Sequence, residues 1–209
     1  MRTDSCLPGG RGRHRVHAGE AGYSFIEALV AAALVMTLGG TAAPLLIGQR
    51  DAVNAVAAAR HLGALAYRTR AESLARGSYT GLVFQVLATG IRFGEFVDGN
   101  RNGVRAADIA NGVDRQVTPW ASLGDDFPRA AIGFAPGVTD PESGAMLTGS
   151  PLRLGGSSIL SFGPDGTATS GTVYVRGPAE QQFAVRVLGA TGRSRVLRFN
   201  FRSKTWAAL

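Results

Sequence analysis

Cysteine is almost absent: Cys6 is the single one in 209 residues, which excludes an intrachain disulfide framework. Histidine is scarce too, with only His14, His17 and His61, so a zinc site built from several Cys and His ligands is excluded. Lysine occurs once, as Lys204, against 21 arginines. Guanidinium is the better phosphate fork, but the same lopsidedness follows from a GC-rich genome, so the ratio alone carries no argument. Acidic excess is lacking: 15 acidic side chains face 22 basic ones, net +7, which excludes an acidic disordered tail and asks for an acidic partner or surface. No Gly-x-Ser-x-Gly elbow and no phosphate-loop pattern occurs, and no Ser/His/Asp or Cys/His set can be assembled around His61. The chain is therefore expected to be no enzyme and to use no cofactor.

The chain is 45% hydrophobic and 18% charged, a globular composition with length for one domain and a real core. Its 29 glycines favour turn-rich β structure over a helical bundle. The positive charge is uneven. Residues 23–180 hold 12 basic and 13 acidic side chains, whereas residues 181–209 hold Arg186, Arg193, Arg195, Arg198, Arg202 and Lys204 and no acid.

Residues 1–22 are polar and basic, without periodicity. From Tyr23 the composition changes abruptly: residues 23–47 carry one charge, Glu27. As a helix this stretch spans about 37 Å, enough to cross a bilayer core. A charged leader before an apolar run admits a cleaved secretory signal, a plain membrane anchor or a more specific signal. A secretory signal has a short apolar region with its cleavage site behind it. This run is longer, and its carboxylate near the start needs a partner in an apolar setting. Arg11, Arg13 and Arg15 place the leader on the cytoplasmic side.

Gly22-Tyr23-Ser24-Phe25-Ile26-Glu27 resembles the class III signal of type IV pilins and type II secretion pseudopilins, whose pattern is Gly followed by Phe, Thr, Leu, Ile and Glu; Tyr replaces Phe and Ser replaces Thr. The resemblance implies that a prepilin peptidase cuts between Gly22 and Tyr23 and methylates the new amino terminus on Tyr23. It implies that Glu27 neutralises the terminal amine of a neighbouring subunit in the filament core. Low dielectric makes such a pair favourable only when both charges meet. Pro44 matches the helix-kinking proline common in this class, since proline removes a backbone donor and clashes with the carbonyl four residues back.

Residues 48–77 read as the amphipathic second half of one long helix over about 24–76. Val53, Val56, Ala57, Ala64, Tyr67, Ala71 and Leu74 form its apolar stripe, interrupted by Arg60, and Gly77 stands where a terminating glycine stands. Residues 59–77, through Arg70, Ala71, Glu72, Arg76 and Gly77, are similar to the corresponding helix of the H-type minor pseudopilins and FimT minor pilins (the GspH/FimT group). From Thr80 the chain reads as strands and turns. Residues 82–87 and 91–97, split by Thr89-Gly90, predict a hairpin. Further strands are expected at 131–134, 159–162, 172–175, 183–188 and 195–201, with a long Gly/Pro/Ser-rich loop over 137–156.

Asp98, Asn100 and Asn102, followed by Gly103, fit the first half of a calcium loop. The closing carboxylate position is Ile109, and Arg101 and Arg105 lie inside the loop, so a plain turn is favoured and no metal is expected. Residues 96–103 also resemble a segment of the same two families. In residues 196–202 alternation places Arg198, Asn200 and Arg202 on one face and Leu197, Phe199 and Phe201 on the other. Gly192-Arg193-Ser194-Arg195 resembles the Gly-Arg-x-Arg motif through which FimT minor pilins take part in DNA binding. Arginines along a strand can track phosphates without reading bases. An edge strand protected by charge explains the same residues equally well.

The resemblance implies an α+β, type IV pilin-like fold, a long N-terminal helix packed on a small antiparallel β-sheet head. Its segments are a cleaved leader (1–22), a transmembrane or filament-core helix (23–47), the second half of the helix (48–77) and a periplasmic β-rich head (78–209). The implied function is that of a minor pseudopilin of a type II secretion system or type IV pilus, incorporated near the filament tip and anchored in the inner membrane. Its partners are then other major and minor pilins or pseudopilins and the prepilin peptidase. The alternative is a DNA-binding minor pilin for natural transformation, acting through Arg193, Arg195, Arg198 and Arg202.

Overall fold

The computed structural model describes residues 24–178 and 180–209, except for the side chains of residues 39–48. In chain order its elements are helix α1 (Phe25–Arg76), strands β1 (Thr80–Leu87) and β2 (Gly90–Val97), helix α2 (Ala106–Ala110), strands β3 (Arg115–Gln116) and β4 (Ala121–Ser122), helix α3 (Leu123–Asp126), and then strands β5 (Ala131–Ile132), β6 (Leu152–Arg153), β7 (Ile159–Phe162), β8 (Gly171–Arg176), β9 (Gln182–Leu188), β10 (Arg193–Asn200) and β11 (Thr205–Ala208). Two compact units divide the chain, Met1–Ala43 and Pro44–Leu209.

In the first unit the described residues 24–38 are exposed throughout, and helical from Phe25. The helix opens on Ser24, whose carbonyl accepts the amides of Glu27 and Ala28. Glu27 lies in the first turn, where the unpaired amides favour a negative charge. Phe25 is 80% exposed and Ile26 69%, a degree of apolar exposure that a soluble surface rarely carries in a continuous run. Among the described residues, no helix is long and apolar enough to cross a membrane.

The second unit corrects the expected architecture. In place of one small sheet carrying a long N-terminal helix, it has two antiparallel sheets, of five and six strands. Sheet A runs β3-β2-β1-β7, with β4 also pairing β2; sheet B runs β11-β10-β9-β8-β5, with β6 also pairing β8. Among the described residues of α1, the hydrophobic side chains that join the core of this unit lie between 55 and 66, with Thr69 and Ser73 buried beyond them. The pilin-like arrangement fails because partition of strands between sheets is a long-range choice. β7 pairs β1 in sheet A, whereas β8, nine residues later, pairs β9 in sheet B. Four of the strands are two residues long and have no periodicity to read.

The helical face that is buried also differs from the expected stripe. Ala55, Ala58, Ala59, Leu62 and Ala66 face the core at i, i+3, i+4 spacing, whereas Val53 and Tyr67 are about two-thirds exposed. Small side chains let the backbone come close to the sheets. At Gly63, an added Cβ would lie 2.8 Å from Val196 Cγ2 on β10. Leu62 is the one large α1 side chain of this buried set, while the bulky Val53 and Tyr67 are left outside.

One cluster joins α1 to both sheets. Leu62 lies with Leu82 and Phe84 of β1, Phe93 of β2, and Val173, Phe183 and Val185 of β8 and β9. A second cluster on the far face of sheet B holds Tyr174, Ala184, Phe199, Val138 and Leu147, covered by Leu197 and Trp206.

Several expectations stand. Gly77 has φ 61, and the Ser78 amide donates to the Ser73 carbonyl at 3.3 Å, the closing bond of a Schellman turn. The first hairpin pairs Leu87 with Gly90 around Ala88 and Thr89. Strand β7 coincides with the expected 159–162, and β5, β8, β9 and β10 fall within two residues of their expected starts.

Candidate polyanion-binding face

β10 lies inside sheet B, between β9 and β11. β11 pairs only with Leu197–Asn200, so Arg193–Val196 has a neighbouring strand on the β9 side alone, and protection of that open edge by charge remains a second account of Arg193 and Arg195. Of the four expected DNA-binding arginines, Arg202 lies past the end of β10, and alternation along the strand divides the other three. Arg193 and Arg195 share the parity of Leu197 and Phe199, which join the far-face cluster, so these two project from the face turned away from α1. Arg198 shares the parity of Ser194 and Val196; the Ser194 hydroxyl lies 3.4 Å from the Gly63 carbonyl on α1, so this is the helix-side face. Arg198 and Arg202 line a separate groove with Glu180, Asn200 and Leu209.

The register brings in two residues that local motifs missed. Arg195 pairs across the sheet with Arg186 on β9, Arg186 with Thr172 on β8, and Thr172 with Arg153 on β6. Directly opposed residues share a face, so Arg153, Arg186 and Arg195 form a row across sheet B. At the usual strand spacing this row is about 14 Å long, and Arg193 stands about 7 Å away along β10. Arg186, Arg193 and Arg195 line one groove of about 390 Å³ with Leu188, Thr191 and Leu197. Only the alternation of β9, with Val185 and Val187 buried on the other face, gave a local sign of where Arg186 points.

Among the described residues, Arg153, Arg193 and Arg195 have no carboxylate partner within 4.0 Å. The Arg153 guanidinium donates to the Thr148 carbonyl at 3.2 Å. Arg186 is paired: its Nη2 is 2.8 Å from Glu142 Oε1. The loop carrying Glu142 is anchored by Asp140, whose carboxylate accepts from the Tyr174 hydroxyl at 2.9 Å and from the amides of Glu142 and Ser143. Burial pushes the Asp140 carboxyl upward, but the Ser143 and Glu142 amides and the Tyr174 and Ser143 hydroxyls outweigh it and hold it below the usual range. Burial, and then the neighbouring Asp140 carboxylate, push the Tyr174 phenol well above its ordinary value.

The calcium-loop residues form a turn. Asp98 Oδ1 accepts the Asn100 and Arg101 amides at 2.9 Å each, and Oδ2 accepts the Gly103 amide at 2.8 Å. Asn100 Oδ1 accepts the Asn102 amide at 3.3 Å. Asp114 supports the same turn by accepting the Gly99 and Arg105 amides. These carboxylates are already engaged by backbone donors, the chemistry of a structural Asx turn.

Of the amino-terminal residues, Gly22 and Tyr23 lie outside the described residues. Glu27 is exposed. Pro44 falls at the boundary between the units and within the stretch whose side chains are not described. Compared with family models, with curated proteins and with solved structures, the chain matches none.

Proposed function

We propose that the chain is a minor pseudopilin or minor pilin subunit, processed by a prepilin peptidase between Gly22 and Tyr23 and held at the inner membrane with its β-rich unit in the periplasm. The observation that carries this reading is the exposed apolar helix over residues 25–38, with Glu27 as its single charge, which begins within the prepilin-like signal and runs on from it. Such a surface needs lipid or like segments to cover it. Within the second unit, the exposed Val53 and Tyr67 on α1 offer apolar surface of their own to neighbouring subunits.

Mass spectrometry of the protein coexpressed with a prepilin peptidase is expected to show loss of residues 1–22 and one added methyl group on Tyr23. An intact leader would remove the filament reading. Glu27→Ala is expected to leave cleavage intact while abolishing incorporation into filaments, read by shearing and immunoblot.

The arginines of sheet B favour a second reading, a DNA-binding minor pilin for DNA uptake. In a gel shift with duplex DNA, Arg193→Ala/Arg195→Ala is expected to weaken binding at least tenfold and to lower the slope of log K against log salt by about 1.8, or 0.9 for each phosphate no longer neutralised. Arg198→Ala, on the other face, is expected to change affinity less than threefold. Equal binding by the double variant and the wild type would sink the Arg193/Arg195 site.

A further inference from the structure

Resting on the DNA-binding reading, we infer that the binding face extends from Arg193 and Arg195 across sheet B to Arg186 and Arg153, and that Glu142 occupies its centre in the free protein as a tethered competitor for the phosphate backbone. The row follows from backbone register: Arg153, Thr172, Arg186 and Arg195 stand directly opposite one another on four strands. Thr172 is 7% exposed, so the three guanidiniums and not the threonine meet an incoming ligand.

Arg186 is the middle member and, among the described residues, the only one of the three with a carboxylate on it. That anion comes from a loop folded back onto the sheet: Asp140 is fixed to Tyr174, the Thr139–Met146 bridge closes the loop, and Glu142 lies at its end over Arg186. The Glu142 side chain is 75% exposed, so the pair is screened and weak. It is strong enough to order Arg186 and weak enough for a phosphodiester to displace. A row spanning about 14 Å suits an extended anion with regularly repeated charges and exceeds the reach of a single phosphate. With no acid after Glu180, the competitor has to come from elsewhere in the chain, as it does.

The test uses the full-length chain in detergent and a fluorescently labelled duplex, with anisotropy recorded over a range of salt concentrations. Glu142→Gln is expected to bind about two- to fivefold more tightly than wild type, the range set by a screened surface pair. Asp126→Asn makes the same change in net charge at an exposed position on α3 and is expected to tighten binding less. Arg153→Ala and Arg186→Ala are each expected to weaken binding and lower the salt slope by about 0.9.

Glu142→Gln matching Asp126→Asn would overturn the competitor role. Arg153→Ala and Arg186→Ala both matching wild type would overturn the extended row. In either case a loss in Arg193→Ala/Arg195→Ala leaves the DNA reading standing. If wild type binds no duplex, or if that double variant binds as well as wild type, the reading and the inference fall together.

Discussion

Arg68→Ala is expected to destabilise the second unit by about 2–3 kcal/mol, a large effect for a side chain that is half exposed. The reason lies in its partner. Glu95 on β2 has a side chain only 1% exposed, and its carboxylate has two side-chain donors: Arg68 Nη2 at 2.7 Å and the Thr69 hydroxyl at 2.8 Å, both from α1. Removing one partner of a buried pair costs about 3–5 kcal/mol, because the remaining charge is left in low dielectric. The exposed side of Arg68 admits water to the gap, which brings the figure toward the lower end.

The site is stiff around the pair. The Thr80 hydroxyl donates to the Thr69 carbonyl at 2.6 Å, and the Glu95 amide donates to the Thr118 hydroxyl at 2.9 Å. Replacing both charges, as in Arg68→Met/Glu95→Leu, is expected to recover most of the loss, since a packed apolar pair of similar volume carries no desolvation cost. Urea unfolding of the four corners of this double-mutant cycle checks the result. A single Arg68→Ala variant within about 0.5 kcal/mol of wild type would show that the pair contributes nothing.

What could be read from the sequence follows the range of the interactions involved. The end of α1 at Gly77 and the first hairpin are set by neighbouring residues, and both stand. The longer strands are also set locally, by runs such as Ile159-Leu-Ser-Phe162. The division into two sheets is set by pairing between strands far apart in the chain, so a single-sheet head was expected and two sheets are found. The buried face of α1 was missed for a related reason. Apolar periodicity marks bulky residues, but close approach of two backbones selects small ones, so Ala55, Ala58 and Ala59 went inside while Val53 and Tyr67 stayed out.

The arginine face was half legible. Arg193 and Arg195 lie in a short motif, and alternation places them together. The same alternation separates them from Arg198, a consequence that grouping by net charge conceals. Arg153 and Arg186 join only through three strand registers, which no window of sequence contains.

The larger stability effect is expected at Leu62. This side chain is 1% exposed and belongs to the cluster that α1 shares with β1, β2, β8 and β9. Leu62→Ala is expected to cost about 2–5 kcal/mol, from lost transfer energy and the cavity left behind, with little collapse possible between two sheets and a helix. Val53→Ala, nine residues earlier and 66% exposed, is expected to change stability by less than about 0.5 kcal/mol.

The two tryptophans distinguish how the loss is distributed. Trp120 packs at a tilt against Phe96 beside sheet A, with ring centroids 5.6 Å apart, and Trp206 packs on Phe199 at the outer face of sheet B, at 5.1 Å. In Trp206→Phe and Trp120→Phe backgrounds, the remaining tryptophan reports one sheet at a time. Because Leu62 bears on both sheets through one cluster, Leu62→Ala is expected to lower the unfolding midpoint equally at the two reporters. A shift at one reporter alone would mean that α1 stabilises that sheet and that the two sheets unfold as separate cooperative units. The arginine face, which lies entirely on sheet B, would then be able to keep its shape after sheet A has opened.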